Sequence, residues 1–169
     1  MKSLQTISKM LLAAAVLLTV SCNKDDDDNN TPIVPVASQY FVKAKVDDAN
    51  YANSAYAAPA ATLSGSTLNI QSSDASGNAM QIQIPNYHGE GTYLSGSNNL
   101  AYGYINFSKM GPGFTYHTYT SVRGAGEVVV TSVGDTEIEG TFHAIAPEND
   151  ESSTLEVHIT EGTFKLKKP

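Results

Sequence analysis

The chain has a single cysteine, Cys22. It follows Ser21 and an apolar run from Met10 to Val20, and Asn23, Lys24 and the aspartates Asp25 to Asp28 come after it. A lone thiol cannot close an internal disulfide. Placed behind an apolar run with Lys2 and Lys9 at its head, it is instead a thiol positioned for acylation. The run is about half the length of roughly 20 residues that a bilayer-spanning helix needs, so it reads as a removable export leader.

Other chemistry-bearing residues are more scattered. The four histidines, His88, His117, His143 and His158, have no pair at the short spacing of familiar zinc motifs, and the sequence assigns no metal and no cofactor. Asn149-Asp150-Glu151 and Asp74 to Asn78 hold oxygen ligands but lack the ligand spacing of a dedicated calcium loop. Cys22 is taken up by lipidation and no G-x-S-x-G elbow occurs, so Gly65-Ser66 and Gly96-Ser97 read as turns and no catalytic residue is assigned. Glu137, Glu139 and Glu156, with His143 and His158, are the side chains that a hydrolase of envelope or extracellular polymers would use. The chain has nine tyrosines and no tryptophan. Tyr102, Tyr104 and Tyr119 fall on the non-core side of their strands, which with His143 and His158 makes a candidate ligand face.

Stepping along the chain, Met1 to Ser21 is the expected signal peptide, and 22–38 is a lipidated cysteine with an acidic tether. Thr19-Val20-Ser21-Cys22 resembles the bacterial lipobox, with Thr19 where leucine is usual and Leu18 one place further back. Several acyl chains on Cys22 would anchor stably, where one chain binds only marginally. The tether carries repelling aspartates and two prolines, Pro32 and Pro35, and so resists regular structure. Lys24-Asp25-Asp26 resembles the signal that sends Bacteroidetes lipoproteins to the outer face of the outer membrane. The expected location is therefore the outer membrane, lipid-anchored at the cell surface, with a periplasm-facing anchor as the alternative. The net charge of −7 becomes more negative once Lys2 and Lys9 leave with the leader. Nucleic acid is not an expected partner, because phosphate binding needs clustered Lys and Arg.

From residue 39 to 169 alternation dominates. Val42, Ala44 and Val46 share one face of an opening strand. Asp47 to Asn50 reads as a turn, and Tyr51 to Leu63 as irregular chain with a short edge strand near Ala60 to Leu63. Thr67 to Ser72 and Met80 to Ile84 form the clearest hairpin, joined by Asp74 to Asn78. Strands follow near Gly91 to Leu94, Leu100 to Phe107, Phe114 to Thr120, Glu127 to Val133, Glu137 to Ile145, Thr154 to Ile159 and Thr163 to Lys167, with Leu155 placed inward. About ten short strands with frequent turns predict an all-β antiparallel sandwich or barrel. A closed barrel carrying lipid is a third functional reading. An echo of the form E-G-T-aromatic recurs at Glu90 to Tyr93, Glu139 to Phe142 and Glu161 to Phe164, where glycine permits a kink and the aromatic enters the core.

The leader, the opening FVKAKVDDANY, the mid-chain GTYLSG and the closing IEGTFHA and LEVHITEGTFKL resemble a family of small, uncharacterised Bacteroidetes lipoproteins, a domain of unknown function. The resemblance spans Phe41 to Leu166 and implies an antiparallel β fold. Its members usually carry a tryptophan after the opening strand, where this chain has Tyr51. It implies no reaction and no ligand. The expected function is a cell-envelope lipoprotein whose non-catalytic domain binds a glycan, an envelope protein or a small ligand, with the hydrolase as the alternative.

Overall fold

The computed structural model describes residues 39–96 and 103–169. Cys22, the sorting residues Lys24, Asp25 and Asp26, and Tyr102 lie outside the described residues. Eleven strands are described: β1 (Phe41–Val46), β2 (Ala49–Ala52), β3 (Ala60–Ser64), β4 (Thr67–Ser73), β5 (Ala79–Ile84), β6 (Gly91–Gly96), β7 (Tyr104–Met110), β8 (Tyr116–Thr120), β9 (Ala125–Val133), β10 (Glu137–Pro147) and β11 (Glu156–Lys167). Single 3-10 turns occur at Pro112–Phe114 and Ser121–Arg123.

The strands form two antiparallel sheets. One has the order β2-β1-β11-β10-β9-β6 and the other β3-β4-β5-β7-β8. They face each other as a sandwich and do not close into a barrel, so of the two expected architectures the sandwich is the one formed and the barrel reading falls away.

Period-two alternation builds the interior. Leu68, Ile70, Ile82, Ile84 and Ile105 come from the five-stranded sheet, and Val42, Ile138, Ile159, Phe164 and Leu166 from the six-stranded one, all essentially without solvent contact. Burying such side chains is worth roughly 1.5–3 kcal/mol each and is the main favourable term here. Three polar side chains, Ser95, Thr120 and Ser121, are buried beside them. Ser121 is fully buried; its hydroxyl oxygen accepts from the Ile105 backbone N–H at 2.8 Å and is 2.7 Å from the Ser95 hydroxyl, which links β6, β7 and the turn after β8.

Several expected boundaries move. The turn after β1 is only two residues, Asp47 and Asp48, at φ 48° and 65°, and Ala49 resumes as β2. Paired positive φ is the geometry of the tight hairpin turn that matches strand twist. Because β2 begins so early, Tyr51 enters the core from a stretch expected to be irregular. Thr154 to Ile159 and Thr163 to Lys167 are one strand rather than two. A bulge at Thr160–Glu161, with Glu161 at φ 52°, absorbs the extra residue while pairing continues with β1 and β10. Leu155 precedes that strand and is 57% exposed rather than inward.

Candidate functional site

The two outer faces of the sandwich differ in chemistry. On the six-stranded sheet the outward positions carry charge on four strands. Lys45 Nζ is 2.7 Å from Glu161, and Lys165 Nζ is 2.7 and 2.9 Å from Glu137 and Glu139. Both contacts raise the lysine ammonium above its ordinary range, chiefly through the hydrogen bonds to the carboxylates.

The five-stranded sheet has no charged side chain among its outward strand positions. The register lays these out in rows. Thr62, Asn69, Gln83 and Tyr104 are successive cross-strand partners, and so are Ala60, Gln71, Gln81, Asn106 and Thr120. A third row runs Ser73, Ala79, Ser108 and Thr118. Gln83 Nε2 donates to Asn69 Oδ1 at 3.0 Å, and the Ser108 and Thr118 hydroxyls are 3.1 Å apart. Where the small residues Ala60, Ser73 and Ala79 flank Gln71 and Gln81, the surface dips into an open groove of about 380 Å³. Tyr104 stands half-buried at the end of its row.

The sequence-chosen ligand face is therefore split. Tyr104 lies on this amide-rich surface. Tyr119 does not: it is inward, 7% exposed, and its ring packs on Phe107 at a centroid distance of 6.5 Å. It is the cross-strand partner of Phe107, so the parity that buries one buries the other. Burial, with Glu148 nearby as the lesser cause, pushes its phenol up. His143 and His158 do point outward as expected, but from the opposite sheet. The bulge in β11 sets His158 opposite Ile145, while His143 faces Glu127, so the two histidines are diagonal and not partners. His158 Nε2 instead lies 3.1 Å from Glu156. Glu148 is held by Ser153 and His117, whose hydrogen bonds lower its carboxyl below the ordinary range. Among the described residues no three His, Cys, Asp or Glu side chains gather where they could hold a metal ion.

Sequence reasoning passed over the amides themselves. The signal was present: N-I-Q at 69–71, Q-I-Q at 81–83 and Y-I-N-F-S at 104–108 put only amides, hydroxyls and one phenol on the polar side of three strands.

A family model matches residues 39–166, which takes in all eleven described strands but for Lys167 at the end of β11. The chain belongs to the DUF6252 family, a domain of unknown function. No curated protein and no solved structure matches it. The DUF6252 match begins two residues before β1 and ends at Leu166, the last buried residue of β11.

Proposed function

We propose that this chain is a Bacteroidetes lipoprotein, anchored through Cys22 to the outer membrane and shown at the cell surface, whose DUF6252 domain binds neutral glycan on the outer face of its five-stranded sheet. The domain acts by binding and not by catalysis. One observation carries the ligand class: on a protein of net charge −7, the outward strand positions of this face carry no charge among the described residues and are lined by amides and hydroxyls, with a tyrosine at one end. Amide groups donate and accept at once, matching sugar hydroxyls, and a phenol ring offers a flat apolar surface for the C–H side of a pyranose. A charged polymer would find no complementary charge there. The face is open and shallow, suited to a chain lying across the strands and not to an enclosed small molecule.

The leader, lipobox-like tetrapeptide and acidic tether support the anchor and the address. Sixteen tether residues, 23–38, reach at most about 55 Å when extended, enough to hold the domain clear of a membrane surface.

A glycan array probed with the purified protein and its Tyr104→Ala variant tests the ligand class. Binding to neutral glycans that weakens in the variant is expected, and silence across the array would remove this reading. Cell fractionation of Cys22→Ser tests the anchor, since a product that still sediments with the envelope at full yield contradicts it.

A further inference from the structure

A second, differently built cavity lies at the end of the sandwich, where the β1–β2 and β4–β5 turns come together. It is a cleft of about 250 Å³ with walls from both sheets. Tyr51 and Phe107 form its floor, each 4% exposed, with rings edge to face at 6.1 Å. Alternation along β7 explains the rim: Ile105 and Phe107 point inward, and the next inward position is Lys109, an ammonium at the place where the core reaches solvent.

The polar groups at the rim divide into used and unused ones. Asp74 is committed to its turn, accepting from the Ser76 and Asn78 backbone N–H groups at 2.8 and 2.9 Å and from Asn78 Nδ2 at 2.7 Å. Asn78 Oδ1 accepts from the Met110 N–H at 3.0 Å. Asp47 accepts from the His158 N–H through Oδ1 at 2.8 Å, which leaves its second oxygen without a partner among the described residues. Lys109 Nζ has no hydrogen bond and no ion pair among the described residues. The cleft thus holds one cation, Lys109, and two carboxylates, of which Asp47 alone keeps an oxygen without a partner among the described residues, and Lys109 is ion-paired with neither.

We propose that this cleft binds a small zwitterion of the α-amino-acid type. Its carboxylate sits on Lys109, its ammonium on the free oxygen of Asp47, and its side chain over Tyr51 and Phe107. A simple anion would meet the carboxylates of Asp47 and Asp74, and a simple cation would meet Lys109, whereas a zwitterion is matched at both ends. The volume falls below the roughly 300–1,000 Å³ of sites for drug-sized molecules, which suits a single amino acid rather than a peptide. The site stands apart from the glycan face and does not rest on it.

Isothermal titration of the purified protein with L-phenylalanine and L-leucine tests this, with 3-phenylpropionate and phenethylamine as analogues that each lack one charge. Saturable binding of an amino acid is expected, with each analogue weaker by about tenfold or more, the loss of one charge-assisted hydrogen bond. Lys109→Met and Asp47→Asn should each weaken binding similarly. Asparagine suits the positive φ at position 47 and keeps an acceptor for the His158 N–H, so that variant keeps its turn. No heat from either amino acid, analogues that bind as well as the zwitterion, or binding unchanged in both variants would overturn the proposal.

Discussion

The ring of Phe164 on β11 lies directly against Gly140 on β10, and the two are cross-strand partners. The arrangement is reciprocal, because Gly162 on β11 is the partner of Phe142 on β10 and a β-carbon there would lie 2.6 Å from that ring. The E-G-T-aromatic echo in the sequence is thus an interlock, in which each glycine vacates the space that the other segment's phenylalanine fills. The third copy, Gly91 to Tyr93, pairs with β9 and is not part of it.

Gly140→Ala and Gly162→Ala should each destabilise the domain by about 1–3 kcal/mol, as overpacking does in a filled core. Combining Gly140→Ala with Phe164→Leu should cost less than the sum of the two singles, because trimming the ring returns part of the space. Chemical denaturation of the four proteins checks this. Additive losses would mean that the clash is with the Val129 carbonyl alone, which also borders Gly140.

Ser121→Ala should cost about 1–3 kcal/mol although it removes one oxygen atom, since it leaves the Ile105 N–H without its acceptor in the interior. An unchanged unfolding midpoint in urea would contradict this.

Burial pushes the Tyr51 phenol up to about 12, outweighing the hydrogen bond with Ser72, which lowers it. An unfolded tyrosine titrates near 10. Between about pH 10 and 12 the unfolded chain therefore releases this proton while the folded one holds it, and stability falls as pH rises through that window. Burial raises Tyr87 and Tyr119 as well, in the same direction. Tyr51→Phe should be less stable than the parent at pH 8, where the Ser72 hydrogen bond is lost. The gap should then shrink above pH 10. Denaturant midpoints across that range check it, and a constant gap would contradict it.

The all-β antiparallel class was legible in the sequence because its strands alternate cleanly, whereas sandwich and barrel share that alternation and only the two separate sheets decide between them. Leu68, Ile70, Ile82, Ile84 and Ile105 were all readable as interior from period alone. The misses have local causes. Tyr51 follows a two-residue turn built from aspartates at positive φ, where asparagine and glycine are the usual signals, so the strand it opens was hidden. The bulge at Glu161 breaks period two within one strand, and so β11 reads as two pieces. Tyr119 was assigned within an expected strand from Phe114 to Thr120, and only its pairing with Phe107 fixes which side is inside. The amide rows needed the register of β4, β5 and β7 together, since no single strand displays a face.

The uncharged outer face of the five-stranded sheet is the centre of the functional account, and affinity electrophoresis tests it most directly. Parent protein, Tyr104→Ala and a Gln81→Lys variant would be run through gels containing neutral or anionic polysaccharides. Retardation of the parent by at least one neutral polysaccharide, reduced by about fivefold or more in affinity when the ring is removed or a charge is placed on the face, is the predicted result. Parent protein that migrates freely in every gel, or that is retarded equally with both variants, would contradict it.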